Sequence, residues 1–415
     1  MSTTSAKKSK KARVKAPKSR PETTFSNQRD TTSSRSLSQL SRDGGHLALL
    51  SLSIGKHRLR VYNTQTANSI VEHVVESGRV TCLQWVCLDL TGGPGTPAGG
   101  SEAPSPSKKK RKTRDDTISE TKEVSPGAHL VLLGLSDGSI CCFSPSHGRV
   151  VRSLSHTKNT APVRAITASQ SVPPGHNLWS TDADGMIFCW DIRTGEVVGT
   201  WKSGSSAPYS AIAIRPSVDD DAPLQLVAAH RSIQLLSLDS PHLNTTLNVK
   251  ELATFTGHAS LVSNIYWETS SRFVTSAESD RFLYMWEVPE ADSNRGHILF
   301  SAPLDSEVRS FSLFGSKLLA ISASGRISVF SPPSDSSSSS HVVNLEPVST
   351  IAVSYKKALL SVEVVSASFL PSGQLRIATL SGGVKPAFDT AVCDGSQLQV
   401  QFKTYNFHRT AISDP

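Results

Sequence analysis

The sequence predicts an all-β fold, a seven-bladed β-propeller with a disordered basic N-terminal tail, and three observations lead to it. A short motif with a tight turn and a large aromatic residue recurs along the chain at a nearly constant interval. Apolar segments of strand length, separated by Gly, Pro, Ser or Asp, fill the intervals. No sustained helical period is present, so helices should be few. About four short strands per repeat are typical of a propeller blade.

The recurring motif is clearest in the segment DADGMIFCW, which ends at Trp190. Five comparable segments end at Tyr62, Phe143, Leu236, Trp286 and Phe330. The steps between successive ends are 81, 47, 46, 50 and 44 residues, and a degenerate seventh copy, LSGGVKPA, has Ala387 at the aromatic position. This spacing predicts one structural unit for each copy.

In this clearest copy, the turn and the aromatic residue are predicted to build the blade. Asp184 and Gly185 should form the tight turn between the second and third strands, with Gly185 at positive φ and Asp182 or Asp184 accepting hydrogen bonds from free backbone amides. Trp190 should fill the wedge between adjacent sheets, where a small residue would leave a void. The following RTGE segment should turn the chain into the outer strand, with Gly195 in the left-handed conformation.

The composition excludes several protein classes. A chain of 415 residues is too long for an ordinary single core unless that core is a closed ring or barrel. No run approaches the ~18 apolar residues of a membrane span, and the charged N-terminus lacks the apolar core of a secretory signal. The six cysteines show no C-x-x-C pairing, so we predict reduced structural thiols, no metal site and no cofactor.

Residues 1–34 are predicted to form the disordered basic tail. The first 35 residues contain ten Lys or Arg and two carboxylates, which accounts for the whole formal charge of +8. The densest group in this tail is KKSKK, which supplies Lys7, Lys8, Lys10 and Lys11. A neutral body with a basic arm indicates a folded scaffold that carries a cellular address or an electrostatic nucleic-acid contact.

A second basic group lies in an insertion within the second repeat, residues 91–127. Its Pro, Gly, Ser and charge content cannot form a core, so a disordered surface loop is predicted. The insertion contains KKKRK, which supplies Lys108, Lys109, Lys110, Arg111 and Lys112. These two groups could be nuclear localisation signals, RNA phosphate contacts or merely solvated charge, and we favour nuclear delivery.

The predicted propeller covers residues 35–406, and residues 407–415 form a C-terminal tail. The seven blades are expected at 35–75, 79–154, 162–202, 209–255, 261–301, 307–347 and 361–406. A flexible Ser-rich loop is expected at residues 331–340. The ring could close in two ways. Either QLQVQFKTYN, residues 397–406, completes the last blade, or residues 22–28 supply a strand from the N-terminal side.

The repeats resemble WD repeats, and Trp190 is followed by Asp191 in the dipeptide that gives that family its name. The fullest copy, residues 255–288, places four residues at the positions of the family's buried hydrogen-bond network: His258, Ser276, Asp280 and Trp286. A buried Ser–His–Asp trio could also indicate a hydrolase. We favour the structural role, because such positions lie inside a blade and away from any cleft.

The whole layout is similar to the family of WD repeat-containing protein 43, the nucleolar UTP-A (t-UTP) subunit of the small-subunit processome. The features that carry this resemblance are the two basic groups, the Lys- and Ser-rich insertion, a fourth blade without the Asp-Gly turn, and GHASLVSNIYW in the fifth. The resemblance implies a non-catalytic nucleolar scaffold acting in ribosomal RNA transcription, pre-rRNA processing and small-subunit biogenesis. It implies other UTP-A proteins as partners, and pre-ribosomal RNA through the basic tail.

Two other classes of function remain open. The first is another nuclear WD-repeat adaptor, such as a chromatin or ubiquitin-ligase subunit, whose repeats would look the same. The second is a propeller enzyme, which would need carboxylates or histidines that converge on the central channel. No acidic residue recurs at strand starts across the repeats, so we favour a protein that is not an enzyme, with no small-molecule substrate and no membrane partner.

Overall fold

The structure is a computed structural model. It describes residues 37–53, 55–88, 128–156, 160–168, 178–204, 207–216, 223–238, 245–289, 293–333, 342–352, 362–381, 385–394 and 397–401. All of them belong to one compact unit, residues 35–415. The predicted basic tail, the insertion at 91–127, the residues of the Ser-rich loop from 334 onward and the C-terminal tail lie outside the described residues.

In the described ranges, thirty strands form seven sheets, and each sheet contains the four strands of one blade. Two of the sheets also include a short strand that comes from the following blade. Blade 1 contains β1 (Ser38–Leu40), β2 (His46–Ser53), β3 (Lys56–Asn63) and β4 (Ser69–Val74). Blade 2 contains β5 (Val80–Leu88), β6 (Ala128–Leu135), β7 (Ile140–Ser144) and β8 (Arg149–Leu154). Blade 3 contains β9 (Val163–Ala168), β10 (Leu178–Asp182), β11 (Met186–Asp191) and β12 (Glu196–Lys202). Blade 4 contains β13 (Ala211–Ile214), β14 (Leu224–Ala229), β15 (Ile233–Leu238) and β17 (Val249–Phe255), with the short β16 (Thr245–Thr246) between the last two.

The remaining blades follow the same plan. Blade 5 contains β18 (Val262–Trp267), β19 (Arg272–Ala277), β20 (Phe282–Glu287) and β21 (His297–Pro303). Blade 6 contains β22 (Val308–Phe314), β23 (Lys317–Ser322), β24 (Arg326–Phe330) and β26 (Ser349–Ala352), with the short β25 (Val343–Asn344) before the last. Blade 7 contains β27 (Val362–Phe369), β28 (Leu375–Ser381), β29 (Lys385–Asp394) and β30 (Gln397–Gln401).

Within each blade, four antiparallel strands run in chain order from the first, inner strand to the last, outer strand. The inner strand of each blade contacts the inner strand of the next, and β27 contacts β1, so the ring is closed. The described residues contain strands and turns and no helix. The prediction of an all-β, seven-bladed propeller is confirmed. In the last blade β30 pairs with β29, so this blade is completed by its own fourth strand, the first of the two closures considered.

One local expectation is wrong. The outer strand of blade 6 is β26, which lies beyond the expected end of that blade at residue 347. In blade 7, Phe388 follows Ala387 on β29 and pairs with Ala378 of β28. Phe388 is buried and packs in an apolar cluster with Leu40 and Tyr62, at the junction of blades 7 and 1.

The apolar core lies between the sheets, because a blade with both faces covered by neighbours must be apolar on both faces. β7 and β10 are buried along their whole length. The side chains that fill the spaces are large and fully buried, and they include Trp179, Trp190, Trp286, Phe143, Phe255, Phe273 and Phe330.

Candidate functional site

The turn between β10 and β11 brings together the residues predicted for the Asp-Gly motif. Gly185 has φ of +79°, a conformation that favours glycine. The acceptor in this turn is Asp182, whose Oδ1 receives the backbone N–H groups of Asp184 at 2.9 Å and Met186 at 2.8 Å. Asp184 itself contributes its amide to this turn. At the next turn Gly195 has φ of +84°, and Asp191 Oδ1 accepts the Arg193 amide at 2.8 Å.

Trp190 lies between blades 2 and 3. Its side chain is 1% exposed and belongs to an apolar cluster that includes Leu130 from blade 2 and Leu178 from blade 3. The indole Nε1–H donates to Ser180 Oγ at 2.8 Å, so its polar atom is satisfied. Tyr62, Phe143 and Phe330 are buried in their own blades; the first is 4% exposed and the other two are 0% exposed.

Blade 5 contains a chain of hydrogen bonds among four side chains. His258 Nδ1 lies 3.0 Å from Asp280 Oδ2, and His258 Nε2 lies 2.7 Å from Thr275 Oγ1. Trp286 Nε1–H donates to the same Thr275 oxygen at 2.7 Å. With Nδ1–H donated to the carboxylate, Nε2 is the acceptor for the threonine hydroxyl.

Ser276 is not in this network, so the sequence prediction for it is wrong. Its hydroxyl lies 2.9 Å from Ser263 Oγ and accepts from Asn264 Nδ2 at 3.2 Å, toward the inner strand. Neighbouring residues of a strand point to opposite faces, so only Thr275 can reach His258. The hydroxyl group in this network is that of Thr275, one residue before the serine that the sequence predicted.

The arrangement of threonine, histidine and carboxylate resembles a hydrolytic triad only in its connectivity. Thr275 is 0% exposed, and its oxygen already accepts an indole N–H. A nucleophile needs access to a substrate, and this fully buried hydroxyl has none. The network ties β19 and β20 to the segment before β18, which is a structural role.

The histidine in this network gives the fold a pH dependence. Burial lowers the pKa of His258 below its usual value, and the hydrogen bond to Asp280 opposes this shift only in part. The unfolded chain therefore binds a proton first as the pH falls below about 6.5. Stability is retained above that value and falls as the pH drops toward the lower pKa of the folded state.

We expect the chemical denaturation midpoint to be lower at pH 5.5 than at pH 7.5. Burial also lowers the pKa of His57, His73 and His230, so these groups act in the same direction. His258→Gln should reduce the pH-dependent difference, whereas the exposed His297→Gln should not. A midpoint that rises on acidification would contradict this assignment.

The end of the ring where the inner strands begin carries an exposed cationic group that the sequence did not reveal. A register shift skips one residue of the strand ladder near the start of the inner strand in five blades, namely Thr81, Arg164, Ser263, Arg309 and Val365. Such bulges aim a side chain out of the ladder. Arg164 is exposed there, and Arg231 is exposed in the β14–β15 turn of the next blade.

His230 precedes Arg231 in the same turn. Its pKa is lowered by burial and then by the positive charges of Arg231 and Arg164. Its carbonyl accepts the Val262 N–H at 2.7 Å, which fixes this turn against the inner strand of blade 5. Within the described part of the chain neither arginine forms an ion pair. We refer to Arg164, His230 and Arg231 as the cationic rim, which can bind a carboxylate or a phosphate.

The three buried thiols of Cys141, Cys142 and Cys189 are poorly suited to redox or metal chemistry. Burial raises the pKa of Cys141 to about 11 and that of Cys142 to about 12, and it also raises the pKa of Cys189. A thiol needs to ionise to act as a nucleophile or a metal ligand. The residues that the structure describes contain no cluster of His, Cys, Asp or Glu that could hold a metal ion. Across the same ranges, no helix is long and apolar enough to cross a membrane.

The two basic groups predicted as localisation or RNA contacts, Lys7 to Lys11 and Lys108 to Lys112, lie outside the described residues. The insertion that carries the second group leaves the ring between β5 and β6. Antiparallel pairing places the end of β5 and the start of β6 at the opposite end of the ring from the cationic rim.

Comparison with known proteins supports the fold. No protein-family profile matches the chain. The curated U3 small nucleolar RNA-associated protein 5 of Saccharomyces cerevisiae is 23% identical over 305 residues, which is 71% of this chain. The alignment spans only 39% of that relative's length. A chain in the crystal structure of the mitotic checkpoint complex matches 85% of this chain and 88% of its own length, with a TM-score of 0.54 and 16% identity.

The structural match shows the fold alone. Together with the seven four-stranded blades, it supports a seven-bladed β-propeller fold.

Proposed function

We propose that this WD-repeat propeller is a non-catalytic scaffold of the small-subunit processome, within its UTP-A subcomplex. In this role it acts in ribosomal RNA transcription, pre-rRNA processing and small ribosomal subunit biogenesis, in the nucleolus. The observation that carries the proposal is the similarity to U3 small nucleolar RNA-associated protein 5 over 71% of the chain. The partners are other UTP-A proteins, with pre-ribosomal RNA contacted through the basic tail.

The physical features of the propeller are consistent with a scaffold. A rigid ring offers two ends and an outer wall, and each can hold a different partner. The buried Thr275 shows why the one triad-like group in the described residues fits structure better than catalysis. The cationic rim is a charged contact on one end of the ring, and it suits recognition of an anionic partner.

Affinity purification of the tagged chain from nuclear extract tests this function. We expect processome proteins and pre-ribosomal RNA to be recovered together. The fraction of RNA recovered should fall steeply with salt, because phosphate contacts through lysine and arginine release counterions. Recovery of histones or of a cullin adaptor without processome proteins would favour another nuclear WD-repeat adaptor and overturn the proposal.

Two variants make the purification more specific. Deletion of residues 1–20 and 108–112 should displace the tagged chain from the nucleolus, and unchanged localisation would refute an address role for these groups.

Reversing the charge of the cationic rim, with R164E and R231E together, should leave localisation intact and reduce recovery of the partner that this rim binds. Arg193→Glu, on a different turn of blade 3, is the matched control.

A further inference from the structure

The outer strands of the propeller differ in whether another segment of the chain pairs with their outer edge. In blades 3, 4 and 5 the connection between the third and fourth strands of the following blade reaches back and runs parallel to the outer strand. β16 pairs with β12, β25 pairs with β21, and Arg295 forms a parallel bridge with Thr254 in β17. Unpaired strand edges attract other strands, so these segments protect the ring from wrong pairing.

The protecting segments share a hydrogen-bond pattern. After β16 the Leu247 N–H donates to the Thr200 carbonyl at 2.9 Å, and after β25 the Leu345 N–H donates to the Ser301 carbonyl at 2.8 Å. Both leucines are buried, at 5% and 8% exposure. These outer edges therefore accept a short extended segment that brings an apolar side chain.

Blades 1 and 2 have no such cover among the described residues, because the connection that would supply it is a tight turn. For blade 2 this is the turn between β11 and β12. It reaches β8 with its Thr194 carbonyl, which accepts Arg152 Nη1–H at 2.9 Å. Among the described strands, none pairs with β8 on its outer side.

The exposed apolar residues of the outer strands mark the uncovered edges. A register shift leaves one apolar residue unpaired in the outer strand of five blades: Ile70, Val151, Val198, Leu252 and Leu299. In the covered blades this residue is buried or half-buried. Ile70 is 49% exposed in blade 1, and Val151 is 40% exposed in blade 2.

Charge distinguishes the edge of blade 2 from that of blade 1. In blade 1, the outer strand carries a carboxylate, Glu72, which forms ion pairs with both Arg58 and Arg60. In blade 2, β8 carries Arg149 and Arg152, and the blade's described residues include a single carboxylate, Asp137. Asp137 lies in the turn between β6 and β7, at the opposite end of the strands, where it accepts from Ser139. The edge of blade 2 is therefore cationic and apolar at once.

We infer that the outer edge of β8 is a docking surface for an extended segment of a partner protein that is rich in acidic and β-branched residues. The segment adds to β8 through backbone hydrogen bonds, in the way β16 and β25 add to their neighbours. Its acidic side chains pair with Arg149 and Arg152, and an apolar side chain covers Val151. This inference does not depend on the processome assignment.

Fluorescence anisotropy with a labelled eight-residue peptide that alternates Val or Thr with Asp or Glu tests the docking surface. The full chain should bind it, and R149E with R152E should weaken binding at least tenfold. Lys250→Glu reverses an exposed charge on β17, an outer strand that is already covered, and should change the affinity less than twofold. Cooperative thermal unfolding of each variant shows that it is folded, and Arg149→Gln alone replaces the double variant if that protein does not fold.

A second peptide and a second measurement separate strand addition from charge attraction. The same peptide with a central proline loses a backbone donor and should bind at least tenfold more weakly, although its charge is unchanged. Amide hydrogen exchange should slow in β8 when the parent peptide binds, and not in β12. Equal binding of the proline peptide, equal binding by the double variant, or absence of binding by the parent chain would each overturn the inference. Binding of an oligouridine RNA at these arginines in place of the peptide would overturn it as well.

Discussion

Replacing Trp190 with alanine is expected to lower the free energy of unfolding by about 3–5 kcal/mol, the usual range for a buried aromatic side chain. The indole is 1% exposed and packs between two blades, with Phe188 at a ring separation of 5.7 Å. Removing it leaves a void that the sheets on either side cannot close without moving. It also removes the donor to Ser180 Oγ, leaving that buried oxygen without this partner.

The measurement is chemical denaturation followed by far-ultraviolet circular dichroism, compared with the parent chain. Trp190→Phe keeps a ring in the wedge and loses the indole N–H, so it should cost less than the alanine variant. Tyr266→Ala, at a side chain that is 45% exposed, should cost less than either. A loss below about 1 kcal/mol for Trp190→Ala would mean that this ring is not the wedge between blades 2 and 3.

The sequence predicts the repeat well because large aromatic side chains are needed to fill the space wherever wedge-shaped sheets meet. Trp190, Trp286 and Phe330 recur at a near-constant interval and are all buried in equivalent places. The exact register is harder to predict. Thr275 and Ser276 are adjacent hydroxyl residues, and only the direction of the strand's side chains decides which one reaches His258.

The candidate surfaces were not predictable in the same way. Arg164 and Arg231 belong to different blades, and no local pattern indicates that a bulge and a turn place them at the same end of the ring. The parallel pairings of β16 and β25 involve two residues each. Such short non-local contacts have no sequence period, so the contrast between covered and uncovered blade edges becomes visible only in the folded ring.

Thr275→Val is expected to lower the free energy of unfolding nearly as much as Trp190→Ala, although the side chains of threonine and valine have almost the same shape. Valine cannot accept the Trp286 indole N–H or donate to His258 Nε2, so two buried polar groups lose their partner. Each buried group left unsatisfied costs about 1–3 kcal/mol. The denaturation midpoint should therefore fall sharply while the apolar volume of blade 5 stays filled.

Two controls decide between the network found in the structure and the one that the sequence predicted. Thr275→Ser keeps the hydroxyl and loses one methyl group, so it should cost about 1 kcal/mol. Ser276→Ala removes hydrogen bonds on the other face of β19 and should cost about 0.5–1.5 kcal/mol. If Ser276→Ala were more destabilising than Thr275→Val, the hydroxyl that holds His258 and Trp286 would be Ser276. Because the two residues differ by a single step along one strand, that result would require β19 to be shifted in register against both of its neighbours.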